Sequence, residues 1–415
     1  MEAPLGMPLL TAQQAAARLG VKPETLYAYV SRGLLERTRT ANGSLFDPLE
    51  IEAFATRRTR AATPRPSDGT RRGGGGRPLM VLDTDIANID DGDLFYRGRL
   101  ASELAASTAF DAVAAWLWGN PLDPSRRLTA PAEFITPARR ATEALPPGAS
   151  WIDRAVVAVR GLAAADPLRD DVAPGALRRV GAIITAALPQ VVGSPVPMVP
   201  DQTVPGALWV ALQGSAPSKR ELAAVNTAMI LAIDHDLPVS TMAARVAASA
   251  RASGYAIVTA ALGAFDSPLH GIASHRAAQL LRDVLDGTAA DVAVRRQLRL
   301  LGGHVPGFGQ PLYPRTDARA AHLFTVTDEI APALADAVTA LREVMAPTGL
   351  HPNFDLALAA LTIATGMDDD AGSLLFAAGR TVGWIAHAIA EYDEKPLRLR
   401  PRGRYVGPEP DRSEP

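Results

Sequence analysis

The chain has 415 residues, a formal net charge of -2 and no cysteine, and 47% of its residues are hydrophobic. The lack of cysteine excludes disulfides, thiolate zinc sites and a cysteine nucleophile, and it suits a reducing compartment. At roughly 100–200 residues per domain, the length predicts two or three domains. No apolar run reaches the roughly 18–20 residues of a membrane span, and no basic segment precedes an apolar stretch at the start. We therefore expect a cytoplasmic protein without a membrane partner.

Positive charge is concentrated near the start of the chain. Residues 1–77 contain 12 Lys and Arg against 7 Asp and Glu, whereas the remainder contains 30 against 37. Residues 57–79 join the two parts and are rich in Gly, Pro and Arg, with almost no apolar side chains. Such a segment cannot bury enough surface to offset its ordering entropy, so it predicts a flexible linker whose arginines could also grip phosphates. A basic N-terminal piece on an acidic body predicts two separate functions.

Residues 1–56 have the pattern of a small helix-turn-helix domain. Two extended runs, 35–40 and 44–46, flank Asn42-Gly43, a dipeptide that favours a tight hairpin. Residues that favour helix starts and stops precede these runs. The capping box and the glycines allow unpaired backbone groups at a helix end to form hydrogen bonds, and a proline in the first turn lacks an N–H that would have no partner there. These signals are the T-x-x-Q capping box of Thr11 and Gln14, then Gly20, Pro23 and Gly33.

Helix, turn, helix and a two-stranded wing resemble the MerR or excisionase-like DNA-binding domain. In that geometry the second helix enters the major groove. The resemblance implies binding to duplex DNA, with cations on phosphates supplying most of the non-specific affinity. A protein-docking module of the same fold is the alternative. The side chains most able to face DNA are Lys22, Thr25, Tyr27, Ser31 and Arg32 in the second helix, with Arg37 and Arg39 in the wing.

Residues 80–415 show helical periodicity almost throughout. Apolar side chains recur at i, i+3 and i+4, and Gly/Pro clusters separate the helical segments. The best period-2 run, at 80–86, predicts a short strand. The fold class is therefore all-α, with a large helical body behind the small winged N-terminal domain. Helices are predicted at 101–117, 155–164, 220–233, 241–263, 276–285, 318–344 and 372–391.

Common nucleotide and metal motifs do not occur in the sequence. It contains no G-x-x-x-x-G-K-[ST] and no H-E-x-x-H, and the glycines at 73–76 lie in the linker rather than between a strand and a helix. The seven histidines are scattered, which argues against a compact metal site. We predict neither a metal nor a cofactor.

Four segments carry unusual chemistry for a helical protein. They place two histidines and an aspartate at turns, and Arg380 lies farther on within an apolar helix, where a buried guanidinium needs a partner anion. Taken singly, a lone histidine is more often structural, and Arg380 could belong to an internal ion pair. Together they predict a pocket for a small dicarboxylate or phosphate compound beside acid–base groups. The segments are IDHDLPVST at 233–241, SPLHGIAS at 267–274, HVPGFGQPLYPRTDAR at 304–319 and HPNFD at 351–355.

In order and spacing, these segments resemble the citrate synthase family, and the resemblance covers residues 80–407. The segment at 81–119 is similar to the family's opening, in which an R-Y-R-G-like motif precedes a helix. The resemblance implies an all-helical homodimer whose small domain closes over oxaloacetate and then acetyl-CoA, with no cofactor. By motif position, the large domain would comprise residues 80–271 and 366–415, and the small domain residues 272–365.

The family's catalytic and binding roles carry over to individual residues. His270 matches the histidine of H-G-G-A-[NH], which hydrogen-bonds the thioester carbonyl oxygen as the acetyl group enolises. Asp355 matches the aspartate base that takes the methyl proton. His235 matches a histidine that holds an oxaloacetate carboxylate. The arginines that would clamp the dicarboxylate are Arg319, Arg380 and Arg400, the last reaching in from the other subunit of the dimer.

Two positions depart from the family pattern. The family's G-F-G-H reads G-F-G-Q at 307–310, and the usual histidine hydrogen-bonds the ketone of oxaloacetate and protonates the new alkoxide. Gln310 can donate a hydrogen bond but cannot transfer a proton near neutral pH, a loss that typically costs about 10²–10⁴-fold. Ile272 replaces a glycine near the expected thioester.

Three functions are compatible with the sequence. The first is a citrate or 2-methylcitrate synthase-type acyltransferase, weakened by Gln310. The second is a DNA-binding regulator whose body senses an organic acid or acyl-CoA. The third is a structural paralogue that partners an active synthase, since a fold alone does not fix a function.

Overall fold

A computed structural model of the chain describes residues 9–40, 43–62, 80–193, 202–301, 303–313 and 316–408. Helices dominate, so the predicted all-α class is confirmed. The strands are β1 (Leu10–Thr11), β2 (Thr38–Thr40), β3 (Gly43–Phe46), β4 (Ala87–Asp90), β5 (Asp93–Tyr96) and β6 (Arg99–Leu100). The helices are α1 (Ala12–Leu19), α2 (Pro23–Ser31), α3 (Pro48–Ala62), α4 (Ala101–Ser107), α5 (Phe110–Leu117), α6 (Ala132–Glu143), α7 (Trp151–Ala165), α8 (Pro174–Val192), α9 (Val204–Gln213), α10 (Lys219–Ala232), α11 (Val239–Ser249), α12 (Gly254–Phe265), α13 (Ala273–Leu285), α14 (Ala290–Leu300), α15 (Ala318–Asp328), α16 (Leu334–Met345), α17 (Phe354–Ala364) and α18 (Ala371–Tyr392), with a 3₁₀ turn at Ala346–Thr348.

The N-terminal domain is a helix-turn-helix with a small wing. The predicted capping box is confirmed, because Thr11 and Gln14 each accept a hydrogen bond from the other's backbone amide. Gly20 ends α1 at φ 63, a left-handed conformation that costs glycine little. The strands pair antiparallel in the order β1-β3-β2. Gly43 begins β3, but Asn42 of the predicted hairpin turn lies outside the described residues.

The third helix, α3, passes the predicted domain boundary at residue 56. Positions 57–62, assigned to the linker from composition, are helical. Their sequence RRTRAA contains good helix formers and no Gly or Pro before Pro64, so the helix has no local reason to stop earlier. Residues 63–79 of the predicted linker lie outside the described residues.

The strand predicted at 80–86 is wrong. The small sheet begins only at Ala87 and is a meander in the order β4-β5-β6. Asp91 and Gly92, at φ 46 and 93, make the tight turn between β4 and β5. The period-2 pattern of 80–86 therefore has no partner strand, and an isolated alternation does not make a ladder.

Three of the predicted long helices are each two helices. The segment 101–117 breaks between α4 and α5, 241–263 between α11 and α12, and 318–344 between α15 and α16. At the second break Arg251 adopts φ 60 and the Ser253 side chain accepts a hydrogen bond from Ala256 N, which starts a new helix. Apolar periodicity continued across these corners and concealed them.

Two apolar cores lie in the body. The larger core draws on helices from α4 to α12, on α15 and α18, and on one face of α17. The smaller core is built from α13, α14, α16 and the other face of α17. It lies within residues 272–365, the range predicted for the small domain. Helix α17 thus stands between the two cores and carries Asp355 in its first turn.

Helix α18 runs through the larger core. Its length and apolarity would suit a membrane span, but 89% of its most apolar window is buried inside the protein. Gly379 and Gly383 let it lie directly against the end of α10, where a Cβ would collide with the carbonyl oxygens of Met229 and Ile233. This close approach brings Arg380 to the turn that follows α10.

The N-terminal domain is docked on the smaller core. Leu49 of α3 packs against that core. Arg295 of α14 makes two hydrogen bonds of 3.1 Å to the Asp47 carboxylate. Arg18 of α1 bonds both Glu52 and the Gly303 carbonyl oxygen, the latter at 2.8 Å. The two parts that the charge pattern separated are therefore in direct contact.

Candidate active site

Arg380 projects from α18 into a buried position and is only partly satisfied. Its Nε donates to the Ala232 carbonyl oxygen at 2.6 Å, whereas its NH1 has no hydrogen-bond partner in the part of the chain that the structure describes. Burial lowers the pKa of this guanidinium to about 10, so it remains charged at neutral pH. A buried donor left unpaired costs free energy, and a carboxylate of a ligand would satisfy it.

Arg319 lies opposite, at the start of α15. Asp317 caps this helix and also pairs with Arg319, with 2.8 Å between NH2 and Oδ2. The same carboxylate oxygen accepts the backbone amide of Phe354, so one aspartate joins α15 to α17. This pairing holds the buried guanidinium in place without an external anion.

Aromatic rings form the frame that joins the charged groups. Phe376 contacts His270, with 5.8 Å between ring centroids, and lies 5.0 Å from the Arg380 guanidinium carbon. Phe354 contacts Phe376 at 5.7 Å and lies 4.8 Å from the Arg319 guanidinium carbon. Such apolar walls exclude water and strengthen the charge interactions between them.

Asp355 stands at the first turn of α17. Asn353 caps the helix and accepts the Asp355 amide at 3.0 Å, which fixes the backbone of the aspartate. Asp355 Oδ1 is shielded from solvent and makes no hydrogen bond with the residues that the structure describes. Burial raises the pKa of this carboxyl to about 7, against the opposing effect of Arg319. An unpaired carboxylate that titrates near neutrality is suited to act as a general base.

His270 is oriented by a chain of two hydrogen bonds. Trp384 Nε1 donates to Ser240 Oγ at 3.3 Å, and Ser240 Oγ lies 2.7 Å from His270 Nε2. Because the indole can only donate, the serine hydroxyl keeps its own proton for His270 Nε2. Burial, followed by Arg380 and Arg319, lowers the pKa of His270 to about 3, so the ring is neutral. We therefore assign its proton to Nδ1, which is left to donate to a ligand.

His235 follows α10 and is a second neutral histidine. It is buried, and no described residue makes a hydrogen bond to its Nε2. Burial, and then the two arginines and His270, hold its pKa well below the ordinary value. Its ring stacks on Tyr313, with 5.2 Å between centroids. The neighbouring Asp234 bonds His387 at 3.0 Å and so anchors the turn in the core.

The structure brings five of the predicted site residues into one neighbourhood, and two stand apart from it within the single chain. The five are His235, His270, Arg319, Asp355 and Arg380. Gln310 is half-buried, and its Oε1 accepts from Leu312 N at 3.4 Å instead of contacting the cluster. Arg400 is exposed in the segment that follows α18.

Sequence reasoning missed three residues of the site. Ser240 lies in the IDHDLPVST segment, Trp384 in an apolar helix and Tyr313 in the Gly/Pro-rich loop, but the sequence pattern assigns none of them a role. Two signals could have found them: a hydroxyl one turn from the DHD motif, and a tyrosine between two glycines and two arginines. Neither signal says what the side chain faces until the fold is known.

The predicted DNA-contacting residues lie on α2, at its ends and in the wing, which together we call the open side of the N-terminal domain. Lys22, Thr25, Tyr27, Ser31 and Arg32 are exposed along α2 and its ends, and Arg39 is exposed in β2. Arg37 is half-buried, since its guanidinium lies 5.6 Å from the centre of the Tyr27 ring and bonds Ser44. The docking on the smaller core uses α1 and α3, so it leaves this side uncovered.

Solved structures with this architecture are citrate synthases. That of Thermotoga maritima MSB8 matches with a TM-score of 0.67 at 24% identity, over 81% of this chain and 96% of that chain. The ternary complex of carboxymethyl coenzyme A and oxaloacetate with citrate synthase from Thermoplasma acidophilum matches equally, with a TM-score of 0.67, 24% identity and coverage of 81% and 96%. The chain therefore has the citrate synthase fold.

Sequence comparison gives the family. Residues 75–402 match the family described as Citrate synthase, C-terminal domain, and residues 9–59 match the Helix-turn-helix domain family. Citrate synthase 2 of Bacillus subtilis is 28% identical over 80% of this chain and 95% of that protein. A 2-methylcitrate synthase of Mycobacterium tuberculosis is 28% identical over 80% and 89%. The chain belongs to the citrate synthase family, which needs an acyl-CoA substrate but no separate cofactor.

Proposed function

We propose that this protein condenses acetyl-CoA or propionyl-CoA with oxaloacetate or a similar 2-oxo acid and releases free CoA. The observation that carries the proposal is the shielded Asp355 Oδ1, which has no hydrogen-bond partner among the described residues. It lies near the same two arginines as a neutral His270 whose Nε2 is bonded to Ser240. A base and a hydrogen-bond donor on one thioester are what enolisation requires. The names of the relatives support both acyl groups.

The chemistry follows from these positions. Asp355 takes a proton from the thioester methyl group while His270 Nδ1 donates a hydrogen bond to the carbonyl oxygen, where negative charge develops. The enolate carbon then attacks the ketone carbon of the 2-oxo acid. Arg319, Arg380 and His235 hold its carboxylates and fix its orientation. Water finally hydrolyses the thioester of the product and frees CoA. With acetyl-CoA and oxaloacetate, the product is citrate and the reaction is the entry step of the tricarboxylic acid cycle.

Thiol release by the purified full-length protein tests the proposal. The protein is supplied with acetyl-CoA or propionyl-CoA and a series of 2-oxo acids, and free CoA is titrated with a thiol reagent. We expect release that needs both substrates and disappears in Asp355→Asn. A protein that releases no CoA with any pair, and does not exchange the methyl protons of acetyl-CoA, would defeat the proposal.

We also propose that the active form is a homodimer with Arg400 acting in the site of the other subunit. Arg400 is exposed just beyond α18, two residues after Arg398, which is held by Glu391 at 2.7 Å. Leu399, between Arg398 and Arg400, is buried, so the segment is anchored up to that residue, whereas residues 401–408 are exposed. Mixed dimers of Arg400→Ala and Asp355→Asn chains should regain one intact site and about a quarter to half of the wild-type activity, a rough figure from counting sites. Mixtures that stay inactive, while each variant still dimerises, would count against the shared site.

A second function is favoured by one observation, the open basic side of the N-terminal domain. Lys22, Arg32 and Arg39 stand exposed beside α2, while α1 and α3 are occupied by docking. We propose that this side binds duplex DNA, largely through phosphates. Affinity of the full-length protein should fall linearly on logarithmic axes as salt rises. A protein that shows no salt-dependent retardation of any duplex would favour a docking module instead.

The place of the reaction is a further expectation. Without cysteine, the chain is compatible with a reducing compartment, and we propose the cytoplasm. Fractionation of cells that express the tagged protein, with an antibody to the tag, checks this assignment.

A further inference from the structure

Tyr313 is a buried polar side chain that has no role in the proposed reaction. It is 5% exposed, and its hydroxyl makes no well-formed hydrogen bond with any residue that the structure describes. Its ring stacks on His235 and lies 5.8 Å from the guanidinium carbon of Arg319. Native proteins rarely leave a buried hydroxyl unsatisfied, and such a group often awaits a ligand.

The polar side chains that lack hydrogen-bond partners among the described residues lie together around Arg319 and Arg380. Four solvent-shielded polar atoms have no hydrogen-bond partner among the described residues: Tyr313 Oη, His235 Nε2, Arg380 NH1 and Asp355 Oδ1. Three of them can donate a hydrogen bond, since a neutral histidine can carry its proton on Nε2. A small dicarboxylate with a ketone presents acceptor oxygens to such donors. If the two arginines bind the carboxylates, the ketone oxygen remains as the acceptor for the Tyr313 hydroxyl.

The loop geometry places Tyr313, and not Gln310, toward this cluster. The amide of Tyr313 donates to the Gln310 carbonyl oxygen at 3.1 Å, so the two residues are the ends of one turn. Gln310 folds its side-chain oxygen back onto Leu312 N. Gly307 and Gly309, at φ 82 and 83, set the path of the chain before this turn. Within the described loop, Tyr313 is the residue that contacts both His235 and Arg319.

We propose that the Tyr313 hydroxyl donates a hydrogen bond to the ketone oxygen of the 2-oxo acid and protonates that oxygen as it becomes an alkoxide. This inference rests on the proposed condensation. Tyr313 would then protonate the ketone oxygen, a role that a histidine has in the family and that Gln310, at the corresponding position here, cannot fill.

The step balances. The enolate carbon forms a bond to the ketone carbon, and the π electron pair of that carbonyl moves to its oxygen. The phenol proton then passes to this oxygen, which leaves a phenolate beside Arg319. Burial raises the pKa of Tyr313 above its ordinary value, so the phenol enters the reaction protonated. Solvent restores the proton when the product leaves.

Tyr313→Phe removes only the hydroxyl and keeps the ring that stacks on His235. The condensation rate should fall about 10²- to 10⁴-fold, the usual loss for a positioned acid. Deuterium exchange at the methyl group of acetyl-CoA should stay close to wild type, because Asp355 and His270 are intact. Gln310→Ala tests the competing assignment in the same turn, and we expect it to lose less than about 10-fold, because its side chain bonds Leu312 N within the loop.

A binding measurement keeps the inference testable if the wild type does not turn over. Oxaloacetate and succinate are both four-carbon dicarboxylates, but only oxaloacetate has a ketone. Tyr313→Phe should weaken oxaloacetate about 3- to 10-fold, the worth of one neutral hydrogen bond, and leave succinate unchanged. Circular dichroism and thermal melting establish that the variant is folded.

The outcomes separate the two proposals. A wild type with no turnover, in which Tyr313→Phe still selectively weakens oxaloacetate, would overturn the condensation and retain the ketone contact. Equal affinities for oxaloacetate in wild type and Tyr313→Phe would overturn the ketone contact. An active wild type in which Gln310→Ala loses far more condensation than Tyr313→Phe would return the role to Gln310.

Discussion

The pocket and the N-terminal surface use the same side chain in opposite surroundings. Arg380 is 1% exposed and keeps one nitrogen without a partner, whereas Arg32 is exposed at the end of α2. In the pocket, low polarity makes each charge strong and its position decisive. On the surface, water and salt weaken each charge, so that the number of cations matters more than the place of any one. Single substitutions should therefore act steeply in the pocket and gently on the surface.

The largest effect is expected at the base of the pocket. Asp355→Asn keeps the shape of the side chain but cannot accept a proton, so CoA release should fall about 10²- to 10⁴-fold. Oxaloacetate binding, measured by calorimetry, should change little. Asp369→Asn is the control, since that carboxylate pairs with Arg282 away from the pocket. Equal losses in both variants would mean that the effect is not catalytic.

The next effect concerns pH. The base works when ionised, and its pKa is raised to about 7, so kcat/KM should fall about tenfold for each pH unit below that value. His270, with its pKa lowered to about 3, should remain neutral throughout this range. A rate that stays flat from pH 8 to pH 5 would contradict the assignment of Asp355 as the base.

Ionisation of Asp355, which raises activity as pH increases, should lower the free energy of unfolding over the same pH range. The folded pKa of this carboxyl lies above the ordinary value of about 3.9, so the stability it contributes is present at low pH and is lost as pH rises through about 7. Relative to wild type, Asp355→Asn should therefore become more stable between pH 4 and pH 8, by about 4 kcal/mol at most. Denaturant titrations of both proteins at the two pH values measure this difference, which a pH-independent offset would refute.

The contact between the two regions should show an intermediate effect. Arg295→Ala removes two bonds to Asp47 and should loosen the N-terminal domain, with faster amide exchange in α3 by about 5- to 30-fold, as for the loss of one to two kcal/mol. Arg296→Ala is the neighbouring control, because that side chain pairs with Asp283 within the smaller-core helices. Similar exchange in the two variants would show that Asp47 does not hold the docked domain.

The smallest single effects are expected on the surface. Lys22→Ala or Arg32→Ala should each lower the salt slope of DNA binding by about one and weaken all sequences alike. Glu24→Gln, on the same helix, is the control of opposite sign and should strengthen binding slightly. Loss of binding to one sequence only would point to base recognition by the substituted residue.

The sequence predicted the parts of the molecule that local chemistry determines. The capping box of Thr11 and Gln14 and the glycine stop at Gly20 need only neighbouring residues, and they are present. The order of the chemical segments was enough to identify the family, now supported by the match of residues 75–402. It also picked out His235, Asp355 and the buried arginines before any contact was known.

Features that depend on distant partners escaped prediction. The run at 80–86 alternates but has no strand beside it among the described residues. The helix break at 329–333 is different, because it contains Pro332, a local stop signal that the apolar periodicity concealed. The orientation of Tyr313 and Gln310 depends on how one turn closes against Arg319 and His235. Docking of α3 depends on a salt bridge between residues 47 and 295, which no local pattern could indicate.

Because the N-terminal domain packs on the smaller core, its removal by truncation would change the surface of the remaining protein. In a fragment that starts at residue 80, the apolar surface that Leu49 covers on the smaller core would be exposed. Arg295 would lose its salt bridge to Asp47 and keep the one to Asp291 in its own helix. Such a fragment presents a bare hydrophobic face on the small core, and faces of that kind promote self-association. Replacing Leu49 by a polar residue in the intact chain, without cutting it, is the gentler way to ask what the enzyme body does alone.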